Sequence, residues 1–219
     1  MRIGVLGTGT VGETLATKLV QLGHDVVMGS RSAGNEKAAA WVANVEGTGG
    51  SAGEGSFADA ANHGELVVNA TAGVASLDAL RAAGDENLAG KTLVDVSNPL
   101  DFSGGFPPRL SVANDDSLAE QIQRELPRTR VVKALNTMTA AVMVDPGRLP
   151  GRHEAFLAGD DAAAKEEVAG LLESFGWPPD QIRDLGGISA ARGLEAYLLL
   201  WLNLMGALGT AEFNISVSR

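Results

Sequence analysis

The chain has 219 residues, 45% of them hydrophobic and 20% charged, with 27 acidic against 17 basic side chains and a formal net charge of −10. That is ordinary composition for one main globular core, and its acidity argues against sequence-independent nucleic-acid binding and anionic membrane surfaces, which both need clustered cations. There is no cysteine, and the three histidines (His24, His63, His153) are scattered, so neither disulfides nor thiolate chemistry nor a metal site is expected.

Residues 1–6, "MRIGVL", read as a short apolar strand that runs straight into a glycine turn, "GTGTVG", at residues 7–12. Beyond the turn, Val11, Leu15, Leu19 and Leu22 recur at helical spacing until Gly23, and residues 25–28 form a second strand. A G-x-G-x-x-G string is weak evidence alone, but strand, turn, helix and strand in this order make it a dinucleotide-binding unit. Gly7 permits the tight turn, Gly9 lets the backbone approach a pyrophosphate, and Gly12 lets the helix pack on the strand. The amides of Thr8, Thr10 and Val11 lie at the positive end of that helix.

An acidic residue at the tip of the second strand would bind a ribose 2′-hydroxyl and repel a 2′-phosphate. The tip here is Ser30-Arg31-Ser32, with no acid. Arg31 offers planar donors to a phosphate and the two serines offer hydroxyls, so NADP(H) is expected rather than NAD; Lys37, at the start of the next helix, is either a further cation for the phosphate or a solvated side chain.

The alternation continues, with strands expected at residues 65–70, 91–96, 129–134 and 154–157 and helices at 35–45, 74–83, 117–126 and 162–175. This pattern predicts an α/β fold with a doubly wound, mostly parallel sheet. Residues 47–55, with five glycines, are expected to be a flexible connection, the alternative being a frayed edge strand. Residues 97–112 follow a strand and therefore lie at the carboxyl edge, where open α/β sheets bind ligands; the portion 101–108 is either pocket wall or solvent loop. At that same edge Thr71 and Ala72, Ser97 and Asn98, and Ala134 and Asn136 are candidates for the nicotinamide half of the cofactor. Asn98, Pro99, Asn136 and Met138 are candidates for the neighbouring acceptor pocket.

Residues 194–208 are apolar around nearly the whole helix but carry Glu195 and Asn203 and fall short of the roughly 20 residues that cross a bilayer. Such a helix needs cover on several sides, and a second subunit supplies it, so a homodimer is expected; burial within one subunit is the alternative. Arg192 and Glu195 are placed to pair on its first turn. Asp160 and Asp161 are expected to cap the helix that follows them, and His24 lies in the turn after the first helix. The N-terminus shows no basic segment followed by an apolar core, which makes the cytoplasm the expected location.

"GTGTVG" with "LGHDVVMGSR", then "VVKALNTM", "GDD" at residues 159–161 and "SAARGLEAYLLLWLNLMGALG" together resemble the coenzyme F420-dependent NADP oxidoreductase family, whose relatives include the cytoplasmic NADP domain of membrane metalloreductases. The resemblance covers nearly the whole chain. It implies a Rossmann domain over residues 1–158 that binds NADP, and a small C-terminal extension over 159–219 whose helix contributes to a homodimer and to the substrate pocket. It also implies direct hydride exchange between NADP(H) and a deazaflavin such as F420, or a flavin-like molecule. Such an exchange requires stacked rings with reacting atoms roughly 3 to 3.5 Å apart and no obligatory acid or base. One position departs from the family's A-L-H-T-I motif: Asn136 stands in place of the histidine, keeping a donor and an acceptor but no titration near neutral pH.

Two other functions fit the cofactor unit. An NADPH reductase of a small carbonyl or imine would need a proton donor beside the nicotinamide, for which Lys133 and Tyr197 are the candidates. A non-enzymatic NADP sensor would bind without turnover.

Overall fold

The computed structural model describes residues 1–218. Its centre is an eight-stranded sheet built from β1 (Arg2–Leu6), β2 (Asp25–Ser30), β3 (Ser51–Ser56), β4 (Leu66–Asn69), β5 (Thr92–Asp95), β8 (Arg130–Ala134), β9 (Ala155–Ala158) and β10 (Ile182–Asp184). A separate two-stranded hairpin is formed by β6 (Leu100–Asp101) and β7 (Arg109–Leu110). The order across the sheet is β10-β9-β8-β5-β4-β1-β2-β3. The six strands from β3 to β8 run parallel; β9 turns antiparallel to β8, and β10 runs parallel to β9. The order is that of a Rossmann sheet, extended by two strands beyond β8.

The central strands are near-continuous apolar runs because they are covered on both faces, and all four residues of both β4 and β5 are buried. One face is packed by α1 (Thr10–Gln21), α2 (Glu36–Val45), α7 (Ala140–Val144) and α8 (Ala162–Ser174), which send Leu15, Leu19, Trp41, Val142 and Val168 into a single core. The other face is packed by α3 (Phe57–His63), α4 (Ser76–Ala83), α5 (Asp85–Leu88) and α6 (Leu118–Glu125) through Phe57, Leu80, Leu88 and Ile122. The long last helix, α9 (Ala191–Leu208), packs Leu194 against Phe156 and Ala158 of β9. Among the described residues no helix is long and apolar enough to cross a membrane.

Several expectations need correction. The glycine-rich segment 47–55 is not a flexible connection: from Ser51 onward it is β3, in continuous parallel register with β2. The strand, "SAGEGS", carries almost no apolar signal, and backbone pairing makes it. Its approach also needs small residues, since a Cβ on Gly50 would sit 1.9 Å from the His24 carbonyl oxygen and one on Gly49 2.4 Å from that of Val20. The helix α3 that follows was signalled by Ser56 and Asp59, which form a reciprocal cap. Asp161 does cap α8 through the Ala164 amide, but Asp160 instead accepts from the Ile188 amide in the turn leading to α9. Nor do Arg192 and Glu195 pair with each other. Arg192 grips Glu120 of α6 with two nitrogens, at 2.6 and 2.9 Å, while Glu195 turns inward.

Candidate functional site

The parallel register gathers the carboxyl ends of β1, β2, β4, β5 and β8 along one edge. The turn after β1 follows from its glycines. Gly7 has φ +121° and lies so close to the next strand that a Cβ would meet the Ala70 carbonyl oxygen at 2.6 Å, and one on Gly12 would come within 2.1 Å of the Gly7 oxygen. Gly9 differs: a Cβ there would meet nothing within 4 Å. It is also the N-cap of α1, with no side chain bonded to the helix's first amides, so the positive end of α1 opens on free space.

That space is a cleft of about 970 Å³ lined by Gly7, Thr8 and Gly9 of the turn, Ser30, Arg31 and Ser32 at the tip of β2, and Thr71 and Ala72 after β4. Arg31 and Ser32 are exposed at its rim. Ser30 is buried and donates to the Ser32 carbonyl at 2.7 Å, so it shapes the loop rather than offering its proton to the cleft. Asn35, Phe57 and Asp78 also line the cleft and were not anticipated. For Asn35 the signal was present, since it caps α2 by accepting from the amides of Lys37 and Ala38. Lys37 itself is exposed and off the wall.

A second pocket of about 430 Å³ adjoins the first, sharing Ala70, Thr71 and Ala72. Its wall includes Val11, Val74, Ser97 and Asn98, then Leu100, Asp101, Phe102 and Ser103 of the β6–β7 hairpin. The open question over residues 101–108 therefore divides: Asp101 to Ser103 are wall, whereas Phe106, at the hairpin tip, is exposed and off it. Asp101 is the one carboxyl group in that wall among the described residues. Ser103, through hydroxyl and amide, and then the Arg109 guanidinium hold it down to about 2, so it is an anion at neutral pH and no proton donor.

Thr10, Gly12, Ala134, Pro99, Asn136 and Met138 do not line either pocket. Thr10 is exposed on the outer side of α1, beside Glu13 and Thr14. Ala134 is fully buried, and Pro99, Asn136 and Met138 lie behind the wall. The cause at Asn136 is local: Leu135 adopts φ +60°, which turns the chain at the end of β8. The Asn136 amide then donates to the Asn98 Oδ1 at 2.9 Å and to the Leu194 carbonyl of α9 at 3.0 Å, while Asn98 donates back to the Asn136 carbonyl at 2.9 Å. Asn136 thus reaches the smaller pocket only through Asn98.

Behind the same wall is a buried charge cluster that the sequence reading passed over. Register aligns Asn69, Asp95 and Lys133 across β4, β5 and β8. Lys133 is fully buried and meets Asp95 at 2.8 Å, Glu195 of α9 at 2.9 Å and the Ser97 carbonyl at 2.5 Å. Burial alone would favour the neutral amine, but the two carboxylates outweigh it and hold Lys133 above the usual lysine range. Glu195, pushed up by burial and only partly offset by Lys133, also accepts from the Leu118 and Ala119 amides and so closes the N-terminus of α6. Asp95 in turn accepts from the Ser97 amide and hydroxyl and from Asn69, which accepts from the Thr71 hydroxyl at 2.7 Å. The cluster ties α9 and α6 to the strand ends that carry Thr71, Ser97 and Asn98. Tyr197, the other suggested proton donor, lies on α9 off both pockets, its hydroxyl raised by burial.

The model of the family described as NADP oxidoreductase coenzyme F420-dependent matches residues 2–99. An F420-dependent NADP reductase of Methanothermobacter marburgensis is 33% identical over 236 residues, covering 99% of this chain and 98% of that one. The metalloreductase STEAP3 of Rattus norvegicus is 31% identical over 195 residues, 89% of this chain, which spans only 36% of that longer protein. Among solved structures, a crystal structure of a candidate F420-dependent NADP-reductase from Arthrobacter sp. FB24 is 52% identical, with a TM-score of 0.93 and full coverage of both chains.

Proposed function

The chain belongs to the coenzyme F420-dependent NADP oxidoreductase family, and we propose that it exchanges a hydride between NADP(H), held in the larger cleft with its nicotinamide reaching into the smaller pocket, and a deazaflavin or flavin-like acceptor stacked on the nicotinamide there. The residues present fit the dinucleotide. Gly9 leaves room at the open end of α1, where a pyrophosphate finds unbonded amides. Arg31 and Ser32 stand at the tip of β2, where a 2′-phosphate needs donors. Thr71, Ser97 and Asn98 line the smaller pocket as neutral polar groups for the nicotinamide half. Bound there, the nicotinamide supplies or accepts the hydride; the protein's part is to hold the two rings together and exclude water.

The observation that carries the choice of acceptor is the chemistry of the smaller pocket's wall. A carbonyl or imine needs a proton delivered as the hydride arrives, and this wall offers hydroxyls, amides, apolar side chains and a locked carboxylate. Lys133 and Tyr197 do not reach it, and Lys133 is committed to Asp95 and Glu195. A planar ring system that spreads the incoming charge and takes its proton from solvent suits such a wall. Asn136, in the family's histidine position, sets Asn98 rather than titrating at the ring.

The extension over residues 159–219 completes the assembly. On α9, Leu199, Leu200 and Leu208 remain exposed, while Trp201 stacks on Phe213 at 5.3 Å. A helix left this apolar on its outer face is covered by the same helix of a second copy, giving a homodimer. The cytoplasm is the compartment this reading assigns.

Mixing the protein with NADPH and oxidised F420 and following both absorbances tests the activity. Loss of the two absorbances together supports the reading; an unchanged deazaflavin in the presence of bound NADPH removes it.

A further inference from the structure

Two large apolar side chains in the wall of the smaller pocket stand exposed to solvent. Val74 is 61% exposed and Phe102 56%, and both line this one pocket although they come from different loops. Single exposed apolar residues need no explanation, but two that flank one concave site mark a surface that another apolar body covers.

The two loops are held at a fixed spacing. Val74 lies in the short 3-10 turn Gly73–Ala75, and a Cβ on Gly73 would come within 2.0 Å of the Asn98 carbonyl oxygen, so this turn packs directly on the segment entering the hairpin. On the other side, the Ser111 amide donates to the Pro99 carbonyl at 2.8 Å and Arg109 bonds Asp101 at 2.8 Å, pinning the last paired rung of β6 and β7. Phe102 is the first residue past that rung, and its carbonyl accepts from the Gly105 amide at 2.9 Å. The ring is therefore carried by the hairpin's fixed base, whereas Phe106, 70% exposed, sits at the tip.

Resting on the hydride-transfer reading above, we propose that Phe102 and Val74 are specificity-determining residues, the apolar jaws that hold the ring system of a flat, multi-ring flavin or deazaflavin against the nicotinamide end of the cleft. The pairing selects for ring size. A planar tricycle covers both side chains, and a small carbonyl compound covers neither. The pyrophosphate and 2′-phosphate ends of NADP(H) belong to the larger cleft, with Gly9 and Arg31, so the affinity for NADP(H) does not rest on these two side chains.

Steady-state kinetics with NADPH and oxidised F420 on the wild type, Phe102→Ala, Phe102→Tyr and Phe106→Ala test this. Loss of one aromatic contact raises the KM for F420 about tenfold in Phe102→Ala. The expected pattern is that rise, a KM for NADPH within about twofold of wild type, recovery in Phe102→Tyr and no effect of Phe106→Ala. An unchanged KM for F420 in Phe102→Ala, an equal rise in Phe106→Ala, or a matching rise in the KM for NADPH would overturn the assignment while leaving F420 reduction by the wild type intact. A wild type that does not reduce F420 removes the functional reading, and this one with it. Should Phe102→Ala not fold, Val74→Ser serves in its place, with a smaller rise expected in the same constant and none overturning the proposal.

Discussion

Arg31 is the side chain on which the proposed choice of nucleotide turns. It is exposed at the rim of the larger cleft, and the neighbouring acid, Glu54 on β3, directs both oxygens to the Gly34 amide at 3.0 and 3.1 Å. A charge-assisted bond to phosphate contributes roughly 1.5 to 3 kcal/mol. Arg31→Ala should therefore weaken NADPH by about ten- to a hundredfold and leave the weaker binding of NADH unchanged; equal losses for both nucleotides, measured by titration, would show that Arg31 does not read the 2′-phosphate. The tip of β2 was legible in sequence because its position follows from the glycine turn alone. Asn136 was less so. Its strand end was clear, but the direction of its side chain depends on the left-handed backbone at Leu135, and nothing in a leucine's identity announces that conformation.

Among the elements, the β1 turn and α1 show how one motif assigns different duties to like residues. Gly12 is packed against the Gly7 carbonyl, whereas Gly9 faces open space at φ −85°, which alanine also adopts. Gly12→Ala should then cost about 1 to 3 kcal/mol of stability through overpacking, while Gly9→Ala should unfold within about 0.5 kcal/mol of wild type yet bind NADPH poorly. Denaturant unfolding and nucleotide titration on both variants separate the two roles; a destabilised Gly9→Ala, or one with normal affinity, would contradict them. The apolar parallel strands could be read directly because burial on both faces demands continuous runs. β3 could not, since "SAGEGS" earns its place by backbone pairing and small size. The Lys133, Asp95 and Glu195 cluster was equally hidden, for it joins residues from β5, β8 and α9 that only the sheet register and the path of the last helix bring together.

For the molecule as a whole, the unresolved question in the sequence was what covers the last helix. Within the chain, α9 buries Ala191, Leu194, Glu195 and Leu198 and leaves Leu199, Leu200 and Leu208 outside, so a single subunit does not cover it. Sedimentation of the wild type should give the mass of a dimer, and Leu200→Glu, at a position 54% exposed in the monomer, should give a folded monomer. A wild type that sediments as a monomer at micromolar concentration would contradict the proposed assembly.

The central claim is direct hydride passage between nicotinamide and a deazaflavin carbon, in a site that contributes alignment rather than an acid. Its most direct test is to reduce F420 in ordinary water with NADPH deuterated at either face of the nicotinamide C4, and to locate the label in the reduced product by NMR. Deuterium from one face alone, retained on the carbon of the reduced deazaflavin, is the predicted result. Reduction that leaves the label in solvent, or none at all with NADPH bound, would contradict the account.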